Sequence, residues 1–402
     1  TSGRVVNVGD GTTRVAVQQT LLNANPAGTT GRGLIGGNGA VDLTAGTLEN
    51  HATISAKGDA SLTAQRFDNS NGNTTAGGAL TATVAGALVN RQGVLSGNAT
   101  SLTAASLDNS SGRIEGNQLD IATTGDLVNR GGTIQQFGQA DASIKAGGTL
   151  DNTAGSIAVN GKNLTLAGQT IANDGGKVQH AGTGMLSVSA QGALSNTSHG
   201  QMQTNGSLAA QAGSVDNTLG SVSALGSSAM TTSGDLVNKQ GTLYGQAGLS
   251  LTSGGRIDNT QGSAQTGGNL AATAAGALAN VSGVLSANGA HGTATVSAAS
   301  LDNTSGRLVN AGDGLTSITA ANTLTNAGGA LGGNGDVTVN TPALTNTGGG
   351  QIAAGGALTL NTSTGINNRG GALYGARGLT LTQSGAALAN DGGVVLGGQD
   401  VN

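Results

Sequence analysis

The chain has 402 residues, 74 of them glycine, with no tryptophan, no cysteine, two phenylalanines, two tyrosines and two prolines. Glycine loses more backbone freedom on folding than any other residue, so this composition excludes a globular core built on aromatic packing. It also excludes disulfides, thiolate catalysis and cysteine-ligated zinc, and with 9% charged residues, a formal net charge of −4 and no basic run it offers no footprint for nucleic acid.

Disorder is disfavoured as well, because Leu, Val and Ile recur at regular places. No apolar stretch approaches the roughly 20 residues that span a bilayer as a helix. The first residues lack the basic cluster and apolar stretch of an export signal.

In chain order, the opening "TSGRVVN" (1–7) reads as the tail of a phrase that returns whole as "LDNTSGRLVN" (301–310). Residue 1 is therefore expected to lie within a repeat, and "VLGGQDVN" (395–402) likewise stops inside one. Both ends read as cuts. The anchor of the phrase is apolar-x-Asn, with Asn at 23, 50, 69, 90, 109, 129, 152, 173, 196, 217, 238, 259, 280, 303, 326, 346, 368 and 390. From Asn50 onward successive anchors lie 19 to 23 residues apart, and glycine follows three residues after the Asn in 15 of 17 units, Thr53 and His199 excepted. Before the regular spacing begins, "NPAGTTGRG" (25–33) is predicted to be a small excursion.

After each glycine comes a short apolar segment such as "RIEG" (113–116), "TIQQ" (133–136) or "TLYG" (242–245). A Gly or Asn break follows, then a segment such as "SLTA" (61–64) or "LTLA" (164–167), and another break before the next anchor. Runs of three to five residues that alternate apolar with small polar, punctuated by turn formers, predict strands. No window combines helical spacing with good helix formers.

Three short strands in about 21 residues cannot bury a face alone, so each unit must stack on its neighbours. The fold class predicted is all-β: a parallel β-helix (solenoid) of about 17–18 coils, three short strands per coil, residues 1–402 forming a single continuous repeat domain. At roughly 4.8 Å per coil it would be about 80 to 90 Å long. Its narrow bore explains the scarcity of Phe and Trp. Within the anchor the pleat turns Leu inward, the next residue outward and Asn inward. Asn on Asn is expected to form a hydrogen-bonded ladder, with the following glycine supplying a positive φ.

The outward residue of the anchor is Asp at 68, 108, 151, 216, 258 and 302, never in consecutive coils, which avoids stacking carboxylates. Arg91, Arg130 and Lys239 follow the Asn of intervening coils and are expected to form weak cross-coil pairs. Longer echoes point to duplication: "GRVVNVGDG" (3–11) with "GRLVNAGDG" (306–314), "LIGGNGAVDLTAGTLEN" (34–50) with "ALGGNGDVTVNTPALTN" (330–346), and "LYG" at 243–245 and 373–375.

Units such as "GALVNRQGVLSG" (86–97), "GDLVNKQGTLYGQAGLSLTSGGRIDNTQG" (234–262) and "GGQIAAGGALTL" (349–360) resemble the haemagglutinin repeats of filamentous haemagglutinin and related two-partner-secretion exoproteins of Gram-negative bacteria. The resemblance implies a right-handed β-helix that is secreted through a dedicated outer-membrane transporter to the cell surface. There it implies an adhesin, or the stalk of a contact-dependent growth-inhibition protein. "NPAG" (25–28) departs from the Asn-Pro-Asn motifs of the family's secretion domain, so the likeness is to the repeat shaft alone.

Chemistry-bearing residues are sparse. His51, His180, His199 and His291 share no metal-ligand spacing and are expected at the surface or in turns. The "GDG" turns at Asp10 and Asp313 lack the period of calcium-binding nonapeptides. "KGD" (57–59) is expected to be a plain turn. Glu49 and Glu115 are the only glutamates, Tyr244 and Tyr374 lie six coils apart, and "TAT" (81–83, 293–295) is too sporadic for the Thr-x-Thr faces of ice-binding β-helices. No catalytic, cofactor-binding or metal-ligating residue is predicted. The expected function is a non-catalytic adhesin shaft whose partners are a secretion transporter and a cell-surface receptor, a glycan among the candidates. A polysaccharide-acting β-helix enzyme is the reading from another class.

Overall fold

The computed structural model describes residues 3–25, 33–384 and 387–402. The excursion predicted at 25–33 falls outside the described residues except for its ends, where the Gly33 N–H donates to Asn25 Oδ1 at 3.0 Å. The described residues form 45 strands and no helix. They fall into two compact units, residues 1–195 with 200–206, and residues 196–199 with 207–402.

Each unit is a parallel β-solenoid, and the two hold about 17 turns between them. The coil that starts at Asn238 in the second unit shows the plan. A turn through Lys239 and Gln240 leads to a first strand at Thr242–Gly245, a second at Gly248–Ser253 and a third at Ile257–Asp258, after which Asn259 opens the next coil. Thr242, Leu243, Tyr244 and Gly245 pair in parallel with Ser263, Ala264, Gln265 and Thr266, one coil on. In the first unit early coils run the second and third strands together, as in Ala79–Val89, and Val94–Asp108 joins all three strands of its coil. The chain bends there without losing its pairing, and the register of Ala79–Val89 against Val94–Asp108 shifts between Val84 and Ala87.

The period-two pattern of the sequence becomes the core. Leu243, Leu249, Leu251 and Ile257 point inward and are at most 2% exposed, while Ser250 and Thr252 face out. In the first unit Ile114, Ile134, Ile157 and Val178 stack in one inward column and Leu88, Leu107, Leu127 and Leu150 in another. Burial of such side chains is worth about 1.5–3 kcal/mol each. The bore does admit one aromatic: Phe67 is fully buried in register with Leu48 and Leu88, in a coil whose other inward residues include Ala56, Ala60 and Ala64.

Candidate functional site

The predicted asparagine ladder is present in both units. In the first, the Nδ2 of each anchor from Asn23 to Asn152 donates to the Oδ1 of the next coil's anchor, ending on Asn173, at 2.7 Å in every step. In the second, the same bond links Asn196 through to Asn390 at 2.6–2.8 Å. The remaining amide proton is directed at turn backbone: Asn238 Nδ2 lies 3.2 Å from Gly241 O and 3.3 Å from Ser263 O.

The glycine of the phrase acts differently from its expected role. Positive φ falls one residue earlier, on residues such as Gln92, Ser111, Gln240 and Gln261, at 53° to 56°. There it makes the third position of a turn closed by the glycine N–H onto the Asn carbonyl, as between Gly262 and Asn259 at 3.0 Å. The glycine itself is required by contact with the coil below. A Cβ on Gly262 would overlap the Asn238 carbonyl oxygen and stand 2.6 Å from Asn259 Oδ1.

The Asp of the anchor is also more than an outward charge. Its Oδ1 folds over the turn and accepts the amide of the residue two further on, as from Ser110 to Asp108 at 2.9 Å and from Thr153 to Asp151 at 3.0 Å. The expected cross-coil pairs form on the other oxygen: Arg91 to Asp108 at 2.6 Å, Arg130 to Asp151 at 2.5 Å and Lys239 to Asp258 at 3.2 Å. Both Asp151 and Asp258 are only 8% exposed in their side chains, against 67% and 47% for their cations.

Burial alone would raise the carboxyls of Asp68, Asp108, Asp151 and Asp258. Hydrogen bonds from the hydroxyl and amide two residues on, together with a neighbouring cation, outweigh it and hold all four below the ordinary carboxylate value. Their contribution to stability is therefore complete above about pH 4 and is lost as pH falls through the depressed native values. A chain carrying Asp108→Asn, Asp151→Asn and Asp258→Asn is expected to lose part of the wild-type fall in melting temperature between pH 4 and pH 2. An acid limb as steep as wild type would show that these carboxylates are not its source.

The remaining candidates are scattered. His51 Nδ1 lies 2.8 Å from Ser70 O, and His291 Nδ1 lies 2.9 Å from the exposed Asp313. His180 departs from the surface or turn placement expected of the histidines: it is 2% exposed at the inward end of a first strand. Its Nδ1 meets Thr204 Oγ1 at 2.8 Å and its Nε2 the carbonyls of Gly161 and Lys162 at 3.0 and 3.1 Å. Imidazole there satisfies buried corner carbonyls, as Gln136 Nε2 does at Ala140 O, 2.5 Å away. Asp59 of "KGD" accepts the Ala79 amide of the next coil at 2.8 Å. Asp126, Asp235 and Asp336 accept a next-coil amide in the same way, a role that sequence reasoning missed and that the recurring Gly-Asp before a strand signals.

Glu115 pairs with Arg113, and Glu49 lies in register with Asp68. Tyr244 bonds Gln246 on the outer face of its strand. Among the described residues no three His, Cys, Asp or Glu side chains gather as a metal site, and no helix is long and apolar enough to cross a membrane. The threonines are more ordered than the triplets suggest. Register brings Thr44, Thr63, Thr83 and Thr103 into one column, and Thr231, Thr252 and Thr273 into another that Ser297 and Thr319 extend.

The family model of the haemagglutinin repeat matches residues 6–92, 91–131, 138–198 and 327–402, more than half of the chain. The chain belongs to the haemagglutinin-repeat family. No curated protein and no solved structure matches it. The haemagglutinin repeat also extends structurally beyond the matched segments: between 199 and 326, Asn217, Asn238, Asn259, Asn280 and Asn303 carry the same ladder and the same turn. Two turns are longer: after Asn196, where Ser198 and His199 both take positive φ, and after Asn346, where Gly348 and Gly349 do so and Gly350 occupies the tight place against Asn326 O.

Proposed function

We propose that the chain is the non-catalytic repeat shaft of a secreted bacterial surface adhesin of the filamentous haemagglutinin type. Membership of the haemagglutinin-repeat family carries this reading. The stacked coils support it physically: the polar side chains at the corners are engaged in satisfying backbone, and the faces present mostly small hydroxyl and amide side chains. In this reading the whole protein leaves a Gram-negative cell through a two-partner-secretion transporter, and the shaft holds binding segments away from the surface or is itself bound by host or neighbouring cells.

The test is adherence of cells to the immobilised chain. Saturable adherence of epithelial cells, blocked by free chain, is the expected result. Adherence confined to bacterial cells would favour the stalk of a contact-dependent growth-inhibition protein, and turnover of a polysaccharide by the purified chain would overturn both.

A further inference from the structure

The two long echoes of the sequence build the same groove twice, once in each unit. Along the outward column of the first strands nearly every coil contributes a side chain: Ser286, Val309, then Ala353 and Tyr374 in the second unit. Gly332 stands between Val309 and Ala353 in register, where a Cβ would run into the Ala353 carbonyl, so the column carries no side chain at this coil. In the first unit Gly36 stands in the same way between Val6 and Ser55. The resulting grooves hold about 380 Å³ over Gly332 and about 530 Å³ over Gly36, within the range of small-molecule sites.

Their walls match bond for bond. Asn334 Nδ2 donates to Ala311 O at 2.7 Å, and Asn38 Nδ2 to Val8 O at 2.7 Å. Asn310 Oδ1 accepts the Gly312 amide at 3.0 Å, and Asn7 Oδ1 that of Gly9 at 3.0 Å. Each groove also has a cation without an acidic partner among the described residues: Arg307 on the wall over Gly332, and Lys57 on that over Gly36, with Arg4 in the register position of Arg307. The nearby Asp313 is engaged by His291. Gln351 adds a carboxamide to the first groove, and Val309 and Val6 supply an apolar wall to each.

We propose that these paired grooves are binding sites for a carboxylate-bearing sugar residue. A guanidinium or ammonium takes the carboxylate through charge-assisted hydrogen bonds, carboxamides take the ring hydroxyls, and the valine face packs on the C–H face of the ring. Glycine is kept at 332 and 36 because a Cβ would meet the Ala353 or Ser55 carbonyl oxygen, and the groove over each is where the ring would lie. The proposal rests on the reading of the chain as a surface that meets other cells, since it names what would be met there.

The experiment is titration of the whole 402-residue chain with sodium glucuronate and with N-acetylneuraminate, with glucose and glucose 6-sulfate as comparison arms, followed by saturation-transfer NMR and calorimetry. The expected result is weak binding, with a Kd of about 1 mM, at two sites per chain. Arg307→Gln should weaken one of them about tenfold. Ala353→Tyr, which fills the groove with a side chain already accepted one coil on at Tyr374, should remove that site and leave the other. Unchanged melting curves would show that both variants fold.

No saturable binding of either acid, equal binding of glucose, tighter binding of the sulfate, or a site count unmoved by Ala353→Tyr would each overturn the proposal. Adherence of cells is scored separately. Sugar binding without adherence keeps the grooves and removes the adhesin reading, and adherence without sugar binding does the reverse.

Discussion

Gly262→Ala is expected to cost the second unit at least about 3 kcal/mol, the upper end of overpacking penalties, for the addition of one methyl group. The position has no unusual backbone angle to protect. The cost arises because the new Cβ would overlap the Asn238 carbonyl oxygen and crowd Asn259 Oδ1 at 2.6 Å and Asn238 Nδ2 at 2.9 Å. All three belong to backbone or to a buried side chain held by hydrogen bonds, so none can swing aside. The adjacent residue supplies the control. Gln261 carries the positive φ, at 56°, where a non-glycine residue costs about 1–2 kcal/mol. Gln261→Gly should therefore be neutral or stabilising. Urea unfolding of the two variants would separate sterics from backbone conformation, and a Gly262→Ala loss below about 1 kcal/mol would show that the coils can slide apart to make room.

That contrast also marks what the sequence could and could not convey. The near-constant spacing of apolar-x-Asn was enough to predict parallel coils, inward Leu, Val and Ile, and the Asn ladder, because a period of about 21 residues leaves few other ways to bury each face. Glycine at the third place after Asn was equally visible, but its cause was not. Turn chemistry suggests positive φ for such a glycine, whereas its neighbour is the carbonyl of the preceding coil, a contact that exists only after stacking.

The Asp of the anchor tells a similar story. All six Asp-Asn pairs are followed by Ser or Thr, and the hydroxyl and amide of that residue are what the carboxylate binds at Asp108, Asp216, Asp258 and Asp302. The cue was present as a tripeptide, while attention to charge alternation picked out only the cross-coil pairs. His180 had no cue of its own, because whether the end of a first strand points at a corner carbonyl depends on where the coil breaks. The paired grooves needed register as well: a glycine between Val309 and Ala353 is adjacent to them only across coils.

Asn238→Leu is expected to cost about 3 kcal/mol, although leucine shares the branched heavy-atom skeleton of asparagine and the site is 1% exposed. Burial of an apolar side chain there gains little, since the site is already dry. What is lost is the partner of four groups at once. Asn259 Oδ1, Gly241 O and Ser263 O lose a donor and Asn217 Nδ2 loses its shortest acceptor, at 2.7 Å. Buried groups left unpaired cost about 1–3 kcal/mol each, and Asn217 keeps weaker contacts to Gly220 O and Thr242 O.

In a stacked array such a loss is local, so amide exchange should accelerate in the coils from Asn217 to Asn280 and much less near Asn368. Asn238→Asp tests the donor requirement more sharply. Its carboxylate would face Asn259 Oδ1 with no proton to give, so its native pKa would be raised. The deficit relative to wild type should then be largest at neutral pH and shrink as pH falls towards the unfolded value of about 4, where the protonated acid restores one donor of two. A deficit that stayed constant from pH 7 to pH 4 would mean that shape, and not hydrogen bonding, holds the ladder.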